Sequence, residues 1–414
     1  MNLRDLRRAL EAELAAQPDD LATHAAYADL LDETGDPRGE FIQTQLMLEG
    51  ESDPARRREL RRREAELLVA HQAEWLGGLG PLLLGPHEHD DRPQDHAHRF
   101  SFRRGWLETL EIGNLNFAFA RALARAPIAR LLRELVLDNN YDDSRLEDVE
   151  PEDNIPPEAA TASCTPGVYP LMNSPSLANV RVFQLGIDEG DDYHDFRDGT
   201  VIIDAVPRLV RSMPRLEELR LFAWGFDVGE LFLLPTLTHL RILQLNNCNA
   251  VYRLDLLAHN TASSNLTELL CHPHHIDWSQ NQERDEASGF REEDGYIPLS
   301  VVVPLFQSPR MHNLRHLRLR VSSMGDEGCK CLVESGMLAR LKRLDLRHGR
   351  ITDAGALMLW DCPDTRKLEW LDLGANSLTE GGVTLIRGLG IPGRVDAQHD
   401  EGDEEQYLTE GDFE

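Results

Sequence analysis

Apolar residues recur along this chain in two rhythms. Up to about Trp75 they fall three and four apart, the period of a helix with one buried face. Leu3, Leu6, Leu10 and Leu14 predict a first helix over 3–17, and Ala25, Ala28 and Leu31 a second over 21–33. Helical spacing resumes from Glu40 to Leu48, and Leu60, Leu67 and Leu68 line a long fourth helix from Asp53-Pro54 to about Trp75. Pro18-Asp19-Asp20 stops the first helix and offers N-cap oxygens to the second. Farther on the rhythm becomes Leu-x-x-Leu-x-Leu, at Leu314, Leu317 and Leu319, at Leu341, Leu344 and Leu346, and at Leu368, Leu371 and Leu373. Leu317, Leu344 and Leu371 are each 27 positions apart.

A fixed period in the twenties with that leucine spacing predicts an α/β fold of the leucine-rich repeat solenoid type. Its strands stack into a parallel curved sheet with helical or irregular segments outside, preceded by a small all-α N-terminal domain. Earlier strands fall at Leu107, Leu110 and Ile112, at Leu132, Leu135 and Leu137, and at Val180, Phe183 and Leu185. Others fall at Leu216, Leu219 and Leu221, at Leu240, Leu243 and Leu245, and at Leu266, Leu269 and Cys271. Asn140 and Cys248 hold the position where an asparagine would bond to turn backbone. Leu135 to Phe183 and Leu269 to Leu317 each span 48 positions, so each gap is a repeat with a broken pattern or a repeat with an insertion. Both gaps hold acidic Pro/Gly-bearing stretches, at 142–158 and 277–295, and a shorter acidic loop covers 188–198. The expected organisation is a helical domain over 1–76, a connector over 77–99, the solenoid over 100–394 and an acidic disordered tail over 395–414.

The run Asp29-Leu30-Leu31-Asp32-Glu33-Thr34-Gly35-Asp36-Pro37-Arg38-Gly39-Glu40-Phe41-Ile42, with Tyr27-Ala28 before it, resembles the repeat-companion domain of bacterial repeat proteins. That resemblance implies a bacterial protein with a downstream repeat array and no established activity. Gly35 and Gly39 suit a turn that a Cβ would oppose, Pro37 fixes φ where the next helix starts, and Asp36 can cap it. Arg38 has Asp29 and Asp32 within reach as ion-pair partners. Ile351-Thr352-Asp353-Ala354-Gly355 and Leu378-Thr379-Glu380-Gly381-Gly382 resemble the ribonuclease-inhibitor-like class, in which each strand leads into a full helix. Thr352 and Thr379 read as N-caps with an acid in the first turn.

A net charge of −29 keeps the 414-residue chain soluble and self-repelling, and argues against general binding to nucleic acid or anionic membranes. No run reaches the roughly 20 apolar residues of a membrane span. Met1-Asn2-Leu3-Arg4-Asp5 lacks the basic head and apolar core of a signal peptide. Six scattered cysteines show no disulfide spacing, so a cytoplasmic location with reduced thiols is expected.

The leucines point into the core, and the residues between them face the concave side. Late in the array those positions hold His316, Arg318, Arg320, Arg343, Asp345, Arg347, Trp370 and Asp372, with Phe222 earlier. Arginine and tryptophan dominate interface hot spots, so His316, Arg318, Arg320, Arg343, Arg347, Trp370, Asp372 and Phe222 are the expected partner-binding patch for a protein with an acidic surface. The other reading is an ionic ladder along the sheet, with Arg343 or Arg347 against Asp345 and Asp372. His87, His89, His96 and His98 form one candidate metal cluster, and His272 and His274 beside Cys271 another. Neither has the paired spacing of an established metal motif. No phosphate loop or nucleophile elbow is present, so no cofactor and no catalytic residue is assigned. The expected role is a non-catalytic protein-interaction scaffold. A regulatory subunit, GTPase-activator-like or ubiquitin-ligase-receptor-like by fold analogy, and a metal-dependent activity are the alternatives.

Overall fold

The computed structural model describes residues 2–85, 98–113, 115–138, 166–172, 174–186, 201–202, 206–224, 228–247, 252–273 and 296–398. They divide into two compact units, one of Met1–Phe183 with Ser212–Arg215 and one of Gln184–Arg211 with Leu216–Glu414.

The first unit opens with four helices, α1 (Leu3–Ala16), α2 (Leu21–Glu33), α3 (Arg38–Gly50) and α4 (Pro54–Leu76). Side-chain caps start three of them: Asn2 accepts from Asp5 N, Asp20 from Ala22 N, and Asp53 from Ala55 and Arg56 N. Asp36 holds the start of α3 by accepting from Arg38 N at 3.0 Å. The apolar stripe of α2 is His24, Tyr27, Ala28, Leu30 and Leu31, whereas Ala25 is exposed. Gly35 turns the chain at φ +73, and a Cβ on Gly39 would sit 2.2 Å from Asp32 Oδ1. Residues 77–84, read as connector from the sequence, form a short 3₁₀ turn followed by a helical turn, Gly80–Leu84.

The sheet of this unit starts with a hairpin that the leucine rhythm does not announce. Strand β1 (Arg99–Arg103) runs antiparallel to β2 (Trp106–Ile112), and Arg104-Gly105, both at positive φ, make the two-residue turn between them. β3 (Glu134–Leu137) then lies parallel to β2, and β4 (Val182–Leu185) follows beside it. Arg38 does not pair with Asp29 or Asp32: it is only 8 % exposed, and its Nε donates to Gly105 O at 2.8 Å.

In the second unit β5 (Val201–Ile202) pairs with β6 (Glu218–Trp224). From β6 a parallel sheet continues through β7 (Ile242–Asn247), β8 (Glu268–Pro273), β10 (His316–Leu319), β12 (Arg343–Asp345), β13 (Trp370–Asp372) and β14 (Gly393–Arg394). A separate two-stranded piece joins β9 (Ile297–Pro298) to β11 (Ser322–Ser323). Helices alternate with these strands, among them Leu254–His259, Leu299–Gln307, Gly325–Glu334, Asp353–Asp361 and Glu380–Arg387. The architecture is therefore an alternation of helices with a mostly parallel sheet, behind N-terminal helices, and it is compatible with a solenoid-like repeat.

All nine leucines of the three regular repeats are at most 5 % exposed, which is why the spacing persists. Val321, His348 and Ala375, again 27 apart, all adopt positive φ where each strand turns toward its helix. The last strand ends at Arg394, and packed residues follow it. Val395 is buried, and Gln398 Oε1 accepts from the amides of Asn376 and Leu378 at 3.2 and 3.0 Å.

Candidate functional site

Register places the late polar residues in rows on the face opposite the leucines. Glu268, His316, Arg343 and Trp370 align across β8, β10, β12 and β13. Arg318, Asp345, Asp372 and Arg394 align two positions on, across β10, β12, β13 and β14. Parallel in-register strands set neighbouring side chains about 5 Å apart, close enough for charges to interact directly.

Two carboxylates lie at the bottom of this arrangement. Asp345 Oδ2 accepts from Arg318 Nε at 3.1 Å and from Arg320 Nε at 3.0 Å, and its Oδ1 accepts from Arg347 N at 3.2 Å. Asp372 is 2 % exposed and accepts from Gly374 N at 2.9 Å. Burial pushes the Asp372 carboxyl above the usual carboxylate range and nearby Asp345 adds to this, while Arg320 and Arg347 oppose it. Arg347 is itself 4 % exposed, and burial depresses its guanidinium below the usual value against the pull of Asp372. A Cβ on Gly374 would stand 3.1 Å from Asp372 Oδ1 and 3.3 Å from Arg347 Nη1, so the glycine leaves room for that pair.

Other groups face outward. Arg343 is exposed, with its guanidinium carbon 5.5 Å from the centre of the half-buried Trp370 ring, a cation–π contact. His316 Nδ1 lies 3.2 Å from Glu268 Oε1, and Arg394 is exposed at the end of its row. Lys342 and Glu369 pair at 2.6 Å beside Arg343 and Trp370.

The side-chain ladder onto Asp345 is made by Arg318 and Arg320, not by the Arg343 or Arg347 of the sequence reading. Arg343 stacks on Trp370 instead. His316, Arg318, Arg320, Arg343, Arg347, Trp370 and Asp372 occupy three adjacent strands and the turns that follow them. Phe222 is not brought to them: it lies in β6, 7 % exposed, with β7 and β8 between it and β10. Arg394 was missed, because its strand has no leucine triplet; the signal was Arg394-Val395-Asp396-Ala397-Gln398 restating Asp372-Leu373-Gly374-Ala375-Asn376.

The histidine candidates separate. His87, His89, His96 and His274 lie outside the described residues. His98 packs edge-on against Phe119 at 5.1 Å, and its Nδ1 accepts from Gly113 N at 3.2 Å. His272 is 3 % exposed in β8. Among the described residues no group of three or more His, Cys, Asp or Glu is placed to hold a metal ion. No described helix is long and apolar enough to cross a membrane.

No protein-family model matches the chain, and no curated protein does. Among solved structures it is similar to a protein from Bacteroides fragilis at 15 % identity and a TM-score of 0.39, covering 68 % of this chain and 70 % of that one. It is also similar to an internalin from Listeria monocytogenes at 17 % identity and a TM-score of 0.36, covering 70 % of this chain and 68 % of that one. At such scores neither likeness carries an argument.

Proposed function

We propose that this chain is a leucine-rich repeat protein of the bacterial cytoplasm, with a repeat-companion-like helical module. It acts without catalysis, by binding a protein partner through the polar face of the last strands of the second unit. The carrying observation is the layering of that face. Asp345 and Asp372 lie buried beneath guanidinium groups, so Arg318 and Arg320 are held in fixed orientation before any partner arrives. Fixing them in advance lowers the side-chain entropy that association costs. Beside this row Arg343 on Trp370 offers a flat cationic and aromatic anchor of the kind that dominates interface energetics. A partner with an acidic surface fits an outward arginine set on a chain of net charge −29.

The test uses Arg343→Glu with Trp370→Ala, two outward side chains whose change leaves the buried carboxylates covered. Purified wild type and double variant serve as baits, and the captured proteins are identified by mass spectrometry. The proposal expects a set of acidic proteins held by the wild type, released by salt and lost from the variant, with both baits melting within a few degrees of each other. Identical capture by the two baits would rule this face out. Charge reversal at Arg320 or Arg347 is a poor substitute, because it strands a buried carboxylate and unfolds what it sets out to probe.

A further inference from the structure

The N-terminal module carries polar side chains on a face that helical periodicity would fill with apolar ones. On α3, Arg38, Ile42, Gln45 and Glu49 follow one another at i, i+4, i+7 and i+11, a single stripe. Arg38 and Gln45 are 8 % and 6 % exposed. All four touch the same object, the turn of the β1–β2 hairpin in the same unit.

The contacts read that turn atom by atom. Gly105 O accepts from Arg38 Nε at 2.8 Å, and Gly105 N donates to Gln45 Oε1 at 2.8 Å. Gln45 Nε2 donates to Phe102 O at 3.0 Å on the outer strand. Glu49 takes Arg104 in a two-pronged pair at 2.8 and 2.7 Å. Gly105 has φ +76, and a Cβ there would come within 2.3 Å of Ile42 Cγ1, so only glycine fits. The Arg38 guanidinium lies 4.4 Å from the Trp106 ring centre and 5.7 Å from that of Tyr27. No carboxylate within ion-pair distance accompanies it among the described residues, so a buried cation is spent on a peptide carbonyl and two rings. Burying a cation without an ion-pair partner is costly, so stability alone gives no reason for its presence.

We infer that the helical module is a hairpin-recognition unit. Its α3 stripe takes as ligand a two-residue Arg-Gly turn followed by tryptophan, supplied in this chain by Arg104, Gly105 and Trp106. The likeness of this module to a family of repeat-associated domains says nothing about such a role. The inference stands apart from the partner face, since no residue is shared.

The experiment is amide hydrogen exchange on the full chain carrying Arg38→Lys, Gly105→Ala, or both. Lysine keeps the charge but loses the planar stack and the Nε bond to Gly105. Each single change is expected to speed exchange over residues 38–49 and 99–112 together, by about tenfold or more, with amides of 316–372 unchanged. The double variant is expected to be no worse than the more severe single one, as for two sides of one contact. A cyclised peptide of residues 99–112, added to the Gly105→Ala chain, should restore protection over 38–49, and the same peptide with Gly105→Ala should not. Gly105→Ala strain confined to the hairpin would leave 38–49 protected, and that result overturns the inference. So does additive behaviour of the pair, or equal rescue or equal failure by the two peptides.

Discussion

Asn376 makes five side-chain hydrogen bonds without reaching solvent. It accepts from the amides of Gly349 and Ile351 and donates toward the carbonyls of Leu346, Leu373 and Gly374. Replacing it with alanine strands buried backbone groups on two turns, so Asn376→Ala is expected to lower unfolding stability by about 3 kcal/mol in a urea titration. Gln398 repeats the device one strand later but is partly solvated, and Gln398→Ala should cost about a third as much. His24 sets a pH dependence. Burial holds its imidazole below the usual histidine value, and its Nε2 lies 3.0 Å from Pro18 O. The unfolded chain therefore binds a proton at a pH where the folded chain does not, and stability falls as pH drops below about 6.5. His24→Gln should flatten that part of the profile in melts between pH 7.5 and 5. Single residues were legible where the partner is near in sequence: Thr352 and Thr379 accept from Ala354 N and Gly381 N as N-caps should. The burial of Arg38 was not, since its carbonyl partner lies 67 positions away and nothing local announces it.

The elements themselves were read well wherever one face is continuously apolar. The four helices begin and end within about two residues of expectation, because proline, aspartate and glycine punctuate them. The β1 hairpin strand escaped because Arg99-Phe100-Ser101-Phe102-Arg103 alternates with period two instead of following the leucine spacing. Its Arg104-Gly105 turn was the available signal. Between repeats the helices are joined by a carboxylate latch. Asp326, in the first turn of one helix, accepts from Thr352 N, Thr352 Oγ1 and Gly355 N at the start of the next, at 2.9, 2.7 and 2.8 Å. Asp353 does the same for Thr379 N and Oγ1 at 2.9 and 2.6 Å. Gly355 and Gly382 let the carboxylates approach, since a Cβ would lie 2.5 and 2.0 Å from them. Asp326→Ala should therefore cost about 2 kcal/mol in chemical denaturation, and faster amide exchange should appear first at residues 352–356.

At the scale of the whole chain, charge is the dominant quantity. With 72 acidic against 43 basic side chains, the proposed capture of an acidic partner would depend on where the arginines face and not on the total. Association through the Arg343–Trp370 face is expected to slow by about tenfold between 20 and 300 mM salt in stopped-flow mixing, with dissociation much less affected. A salt-independent association rate would remove electrostatic steering from the account. The repeat character of the chain was legible from 27-residue spacing alone, and so was the sidedness of its strands. The burial order of the late polar face was not. A period places Arg318, Asp345 and Asp372 in adjacent strands, but only packing decides which carboxylate sinks and which guanidinium stays wet. The acidic stretches at 142–158, 188–198 and 277–295 and the tail beyond 398 lie outside the described residues.

The latch has a consequence for how such a chain can change length. Asp326 meets Thr352, and Asp353 meets Thr379, through backbone N and Oγ1 at the same offset of 26 positions. Excising residues 327–353 would bring Asp326 directly before Ala354, in the place Asp353 now holds. Its carboxylate would then find Thr379 waiting with the same N and Oγ1 donors. Any stretch of 27 residues cut from the regular region is in this sense interchangeable, and the array can gain or lose a period without a new joint having to be invented.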